Sequence, residues 1–155
     1  RQTNTVLEHP NFMENFFKLL KHEKAAIRRE VAWILSNLTA GTPDQIQFLI
    51  KCPGLFEKIL LMAKLDVEEI KKDAVWALCN ITHHGTPEQV DFLMRNNFME
   101  VLIHFLELNG DAELVSVCLE ATLNILNLGA NIKNSGLSRE NPYLYSFDSL
   151  DGASK

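Results

Sequence analysis

The sequence predicts an all-α fold built from repeated helical units. None of its 155 residues belongs to a stretch that alternates apolar and polar side chains over the length of a strand. Five prolines and seven glycines separate long segments that have the apolar period of a helix. Residues 30–50 (EVAWILSNLTAGTPDQIQFLI) and residues 73–94 (DAVWALCNITHHGTPEQVDFLM) match through most of their length, which indicates a repeat architecture.

The repeat has a period of 43 to 44 residues. Trp33 recurs as Trp76 and Asn37 as Asn80, each 43 residues later, and the segment that begins at Gly41 recurs 44 residues later. This period is typical of armadillo and HEAT repeats, in which two or three helices form one unit.

Helix stop signals favour the three-helix armadillo unit. In the second repeat, Thr42 and Pro43 predict the N-cap and first position of a short helix that ends before Pro53-Gly54. A second helix is expected over residues 54–65, and a third, longer one from about Val67 to Thr82. A short, a medium and a long helix predict a fragment of a right-handed superhelical armadillo solenoid.

Four segments divide the chain. Residues 1–41 form a repeat whose first helix is incomplete, residues 42–85 and 86–129 are two further repeats, and residues 130–155 hold a linker and the start of a truncated repeat. Gly129 is expected to end the third long helix as Gly85 ends the second. After a polar linker over residues 130–140, Asn141-Pro142 offer a cap and first position for another helix.

Composition argues against several classes of function. The formal net charge of −5 disfavours a direct contact with nucleic acid, which needs a basic surface. No apolar run approaches the ~20 residues of a membrane span. The common motifs for nucleotide, metal or nucleophilic sites do not occur, so neither an enzyme nor a cofactor is predicted. Cys52, Cys79 and Cys118 are expected to be small buried hydrophobes.

Other groups of residues are expected to form the solvated surface and the apolar core of the solenoid. Short basic clusters predict solvated surface: Arg28-Arg29, Lys71-Lys72 and residues 21–24. Apolar helical stripes predict core, namely Leu19, Leu20, Leu60, Leu61, Leu102 and Leu106, with Val31, Ile34, Leu35, Leu38, Ala74, Ala77, Leu78 and Ile81 on the long helices.

A polar-aromatic stripe recurs on two long helices. Positions i, i+3 and i+7 share one face of a helix, and they hold Glu30, Trp33 and Asn37, then Asp73, Trp76 and Asn80. Two indoles about 10 Å apart could hold the stem of a lysine or arginine. The asparagines could bond to an extended backbone and the carboxylates to its cations. Alternatively, a helical tryptophan is a core residue and the asparagine satisfies a neighbouring helix; the repetition favours a site for a basic peptide.

The doubled WxxxN motif, followed by TAGTPDQIQFLI and again by THHGTPEQVDFLM, resembles the seventh and eighth armadillo repeats of the importin-α (karyopherin-α) family. The third repeat is similar to the ninth, and NPYLYSFDSLDGASK to the opening of the tenth. The resemblance covers essentially the whole chain. It assigns peptide-binding roles, in the minor site for basic signals, to Glu30, Trp33, Ser36, Asn37, Asp73, Trp76, Asn80 and Asn124, whereas Glu120 stands where the third repeat would carry tryptophan.

The resemblance implies a fragment of a nuclear import adaptor, present in cytoplasm and nucleus, that binds classical nuclear localisation signals in a concave groove. Importin-β would bind only through an N-terminal segment absent here, and an export receptor could engage the C-terminal repeats. The alternative is an armadillo scaffold of the signalling or adhesion type. Grooves of that type are generally basic, so Glu30, Asp73 and Glu120 favour a basic ligand.

Overall fold

The computed structural model describes residues 7, 9–107 and 111–153, the last four by their backbone alone. All regular structure in these residues is α-helical, and the short, medium and long helices follow one another as predicted. The helices are α1 (Phe12–Leu20), α2 (Ala25–Thr39), α3 (Pro43–Ile50), α4 (Leu55–Leu65), α5 (Glu68–His84), α6 (Pro87–Arg95), α7 (Phe98–Glu107), α8 (Ala112–Asn134) and α9 (Leu144–Ala153). The incomplete first helix expected before Pro10 lies mostly outside the described residues.

The repeated threonine and proline begin α3 and α6, as the sequence predicts. The hydroxyl of Thr42 accepts a 3.4 Å hydrogen bond from the backbone N–H of Gln45, and the Gln45 side chain accepts one of 3.1 Å from the N–H of Thr42. Thr86 and Gln89 form the same reciprocal pair at α6. A Cβ atom on Gly41 would lie 1.9 Å from Oε1 of Gln45. The repeated glycine, threonine and glutamine are therefore parts of one helix start.

The chain divides into two compact units, residues 1–85 and residues 86–155. In the first, α2 and α5 pack side by side, α1 packs against α2, and α4 against α5. The buried core of this unit includes Leu20, Leu35, Met62, Ala74 and Leu78. In the second, α8 and α9 both pack against α7.

The end of the third long helix differs from the prediction. α8 continues through Gly129 to Asn134, so the expected stop at Gly129, and a linker beginning at residue 130, are wrong. A Cβ atom on Gly129 would lie 1.8 Å from Oδ1 of Asn141; this glycine allows the returning chain to approach the helix. The stop is at Gly136, whose φ of +78° is the left-handed conformation typical of glycine after a helix.

The helix expected after the linker is present but begins later. α9 begins at Leu144, two residues after Pro142. Asn141 does not cap it in the expected way, because its Oδ1 accepts a 3.0 Å hydrogen bond from the N–H of Tyr143, and its Nδ2 donates to the carbonyl of Leu126 at 2.9 Å. Asn141 thus forms a turn and ties it to α8.

The core prediction is confirmed for most positions and wrong for a few. Leu20 and Leu102 are fully buried, and Leu60 and Leu106 are half-buried, whereas Leu19, Leu61 and Ile34 are exposed. Leu19 and Ile34 line an open apolar groove of about 480 Å³, because the apolar surface of α1 and α2 is wider than their mutual contact. Cys79 and Cys118 are buried as expected, but Cys52 is only half-buried.

α8 also corrects the expectation about apolar runs. By length and composition alone, its 23 residues meet the criterion for a helix that could cross a membrane. One such helix is weak evidence for a membrane. Its packing against α7 gives its buried residues, Cys118 and Ile125 among them, a protein partner.

Candidate functional site

The two long helices that carry the stripes lie parallel and in register. Nδ2 of Asn80 donates a 2.9 Å hydrogen bond to the carbonyl of Ser36, and Nε of Arg29 lies 3.9 Å from Oδ2 of Asp73. Both pairs are 44 residues apart, and equivalent stripe positions are 43 apart. At both places a residue of α5 contacts the residue before its equivalent in α2, so the stripes run side by side over two turns.

The first tryptophan of the stripe is not a core residue. Trp33 is 57 % exposed, whereas its neighbours Val31 and Leu35 are buried. Trp76, at the equivalent position of α5, is half-buried. The indole of Trp33 therefore presents a large apolar surface to solvent, beside polar residues of the same face.

An open groove of about 420 Å³ lies beside this indole. It is lined by Arg29, Glu30, Trp33 and Asp73, and we call it the Trp33 groove. Partial burial raises the pKa of the Asp73 carboxyl; the Arg29 guanidinium lowers this pKa and the Glu30 carboxylate raises it. A cation that enters the groove meets two carboxylates and an aromatic face, a combination that suits a lysine or arginine side chain.

The asparagines of the stripe make two different hydrogen bonds. Nδ2 of Asn37 donates to the carbonyl of Trp33 in its own helix at 3.1 Å, and the Ser36 hydroxyl donates to the same carbonyl at 2.8 Å. Asn80 instead bonds across to the carbonyl of Ser36, which is the alternative, structural role considered for it from sequence. Each bond uses one of the two N–H groups of the amide, and the amide also has a carbonyl oxygen.

The two adjacent arginines have separate roles, which sequence reasoning missed. Arg28 was expected to be solvated surface, and this is wrong: its guanidinium donates to both oxygens of Asp66, at 2.6 and 2.9 Å, and its side chain is only 18 % exposed. Arg29 lies in the Trp33 groove. A signal was available, because Lys71 and Lys72 stand 43 residues later, so the basic pair belongs to the repeat.

The candidate residues of the third repeat belong to the second compact unit. Asn124, half-buried, and Glu120, exposed, lie on α8 in the second compact unit, so the role of Asn124 stays a prediction. Two leucines on the same helix, Leu119 and Leu123, are also exposed. Within the described parts of the chain, no three His, Cys, Asp or Glu side chains are grouped to hold a metal ion.

Comparison with known proteins shows relatives of one kind. Importin subunit alpha-5 of Arabidopsis thaliana is 32 % identical over 137 residues, which cover 88 % of this chain and 26 % of that protein. Importin subunit alpha-1a of Oryza sativa subsp. japonica is 30 % identical over 154 residues, 99 % of this chain and 29 % of that protein. The chain spans about a quarter of the length of these relatives. No family model matches it.

Solved armadillo structures share the fold. A designed armadillo repeat protein in complex with the peptide (KR)4 matches with a TM-score of 0.68 and 25 % identity, over 81 % of this chain and 53 % of that one. Computationally designed armadillo repeat proteins for modular peptide recognition match with a TM-score of 0.67 and 24 % identity, over the same shares. The chain has the armadillo fold, and its sequence is similar to a segment of the importin-α subunits.

Proposed function

We propose, from the similarity to importin-α subunits over 88 % of the chain, that this chain is a segment of a nuclear import adaptor that binds nuclear localisation signals. Its ligands are extended peptides rich in lysine and arginine, bound along α2 and α5. The observation that carries the proposal is the Trp33 groove, where an exposed indole lies beside the carboxylates of Glu30 and Asp73.

The residues of the stripe contact different parts of the peptide. The methylene stem of a lysine or arginine stacks on the indole of Trp33, and its charge meets Glu30 and Asp73, an interaction of about 0.5–2 kcal/mol for the cation–π part. Trp76 offers a second apolar wall. The amides of Asn37 and Asn80 bond to the peptide backbone, so the ligand must be extended as well as basic.

A structural neighbour supports this ligand class. The designed armadillo protein of similar fold is in complex with (KR)4, a peptide that alternates lysine and arginine. On the same proposal the protein works by binding, without a catalytic step or a cofactor, in cytoplasm and nucleus. Importin-β binds through a separate N-terminal segment, and an export receptor engages the C-terminal repeats.

The test is a titration of a fluorescent peptide with two lysine-rich clusters, followed by anisotropy at two salt concentrations. We expect saturable binding that weakens with salt and disappears when the lysines are replaced by alanine. Trp33→Ala should weaken binding by about tenfold or more, which corresponds to about 1.4 kcal/mol. Leu65→Ala is the matched control, since Leu65 is also an exposed apolar residue but lies on α4.

Two results would contradict the proposal. One is equal affinity for the lysine and alanine peptides, and the other is unchanged affinity in Trp33→Ala. An acidic peptide in the same assay tests the alternative, a scaffold of the signalling or adhesion type: tight binding of that peptide alone would favour the scaffold.

A further inference from the structure

Arg29 shares the Trp33 groove with the residues proposed to bind the ligand. Its Nε atom lies 3.9 Å from Oδ2 of Asp73, and its side chain is 60 % exposed. Glu30 and Trp33 line the same groove. A cation of the protein itself therefore stands at the carboxylate to which the proposed ligand would bring its own cation.

We infer that Arg29 is a built-in competitor for the cationic side chain of the ligand. In the free protein its guanidinium partly neutralises Asp73, and it must move aside before a lysine or arginine of a peptide can pair with that carboxylate. The inference rests on the proposed function, and it names a residue that sets how tightly the groove holds a basic side chain.

The geometry makes Arg29 a weak and displaceable partner. At 3.9 Å the contact with Asp73 is longer than a hydrogen bond, whereas a charge-assisted bond from an ammonium or guanidinium has a length of about 2.7–2.9 Å. A ligand cation that reaches Asp73 directly thus makes the shorter contact. Exposed ion pairs contribute little to stability, so Arg29 can turn into solvent at small cost.

Arg28, the preceding residue in the same helix turn, is by contrast an arginine whose position is fixed by several hydrogen bonds. Arg28 is 18 % exposed, donates twice to Asp66, and also donates to the carbonyls of His22 and Glu23 at 2.8 and 3.0 Å. Among the described residues no such set of hydrogen bonds holds Arg29, whose ion pair is the 3.9 Å contact to Asp73. Arg28 therefore stabilises the fold, whereas Arg29 can be displaced from Asp73 by a cation of the ligand.

The consequence is selectivity for peptides over isolated cations. Glu30 and Asp73 carry two negative charges and Arg29 one positive charge, so the charged side chains of the groove sum to −1, which a single lysine or arginine balances. Because Arg29 reduces the gain from that one contact, tight binding requires the backbone contacts at Asn37 and Asn80 as well. A free basic side chain gains too little to remain bound.

The experiment compares three variants with the lysine-rich peptide. Arg29→Gln should bind it about three- to tenfold more tightly than the wild type, because the competing charge is gone. Arg29→Lys keeps a charge there and should stay within about twofold of the wild type. Lys18→Gln is the charge-matched control: Lys18 pairs with Glu14 at 2.6 Å on the surface of α1, and its loss should leave affinity unchanged.

The outcomes separate the inference from the proposed function. Trp33-dependent binding by the wild type, with equal or weaker binding by Arg29→Gln, overturns the inference alone. An equal gain in Lys18→Gln also overturns it, because general charge would then be the cause. Trp33-dependent binding by Arg29→Gln and not by the wild type overturns the inference in this form, because Arg29 would then block the groove and would not be displaced by the ligand. Absence of such binding in both proteins overturns the inference and the proposed function together.

Discussion

The side-chain amide of Asn80 donates a 2.9 Å hydrogen bond to the backbone carbonyl of Ser36 and so joins the long helices of two successive repeats. The same carbonyl accepts from the N–H of Ala40 at 3.0 Å and from the hydroxyl of Thr39 at 3.1 Å. Ser36 thus lies where the last turn of α2 is tied to α5. The bond fixes the register that places Asp73 beside Glu30.

Asn80 should therefore matter for stability more than its counterpart in the preceding repeat. Asn80→Ala is expected to lower the free energy of unfolding by about 1 kcal/mol, the usual net value of a lost hydrogen bond. Asn37→Ala, which removes a bond within one helix, should lower it by less than about 0.5 kcal/mol. Urea unfolding followed by circular dichroism measures both, and equal losses would show that the bond between repeats is not special.

The helix starts and the equivalence of the repeats can be predicted from the sequence because their signals lie within a few residues or recur at a fixed period. At the start of α3, Thr42 and Gln45 bond to each other across three residues, with Pro43 between them at the first helical position, so this helix start can be inferred without knowing the fold. The period of the repeat then predicts that α2 and α5 are equivalent. The exposed position of Trp33 follows from neither signal alone, because a helical tryptophan is usually buried; the repeated acidic and amide neighbours made a surface role the better inference.

The role of Arg28 and the end of α8 could not be predicted from the sequence, because both depend on contacts between residues that are distant along the chain. Arg28 is held by hydrogen bonds to Asp66, 38 residues away, and nothing in the local pattern separates it from Arg29. Gly129 has the sequence features of a helix stop, yet its role depends on Asn141, which returns to α8 twelve residues later. In each case the partner is brought near by tertiary packing, which overrides local preference.

Because Asn141 lies so close to Gly129, we expect the effect of Gly129→Ala on the free energy of unfolding to change sign when Asn141 is removed. In the wild type, Gly129→Ala should lower the free energy of unfolding by about 1–3 kcal/mol, since the new Cβ would lie 1.8 Å from Oδ1 of Asn141 and displace its bond to Leu126. With Asn141 already replaced by alanine, Gly129→Ala should instead stabilise by up to about 1 kcal/mol, because alanine is the better helix former. A double-mutant cycle by chemical unfolding checks this, and additive effects would refute it.

Tyr143 should keep its proton to an unusually high pH in the folded protein, so the free energy of unfolding should fall at alkaline pH. It is buried, its hydroxyl donates to Oδ1 of Asp91 at 3.0 Å, and burial together with this bond raises its pKa to about 12. In the unfolded chain a tyrosine loses its proton near pH 10. The unfolded state is therefore favoured as pH rises from 10 to 12, and the free energy of unfolding should fall by up to about 1.4 kcal/mol per pH unit.

The chain has two tyrosines, so Tyr145→Phe leaves Tyr143 as the single reporter. Tyrosinate absorbance at about 295 nm should then show its midpoint near pH 12 in the folded protein. Tyr143→Phe should remove the fall in stability above pH 10. A midpoint near 10 for the folded single-tyrosine variant would contradict the hydrogen bond to Asp91.

The pair formed by Arg28 and Asp66 predicts a loss of stability in acid. The Arg28 guanidinium, through its hydrogen bonds, holds the pKa of Asp66 below its usual value. The folded form thus keeps the carboxylate that the unfolded chain protonates near pH 4. Stability from this pair is complete above that pH and is lost as pH falls through the lower, folded pKa.

Asp66→Asn should remove this acid dependence and cost about 2–3 kcal/mol at neutral pH, because it leaves a partly buried guanidinium, only 18 % exposed, without its anion. The matched comparison is Glu14→Gln, which breaks the pair with Lys18 at 2.6 Å, where both side chains are 67 % exposed; its cost should be at most about 0.5 kcal/mol. Thermal unfolding at pH 7 and at pH 3 measures both. If the two variants lose equal stability, burial does not distinguish the pairs, and the contrast between a fixed Arg28 and a displaceable Arg29 loses its physical basis.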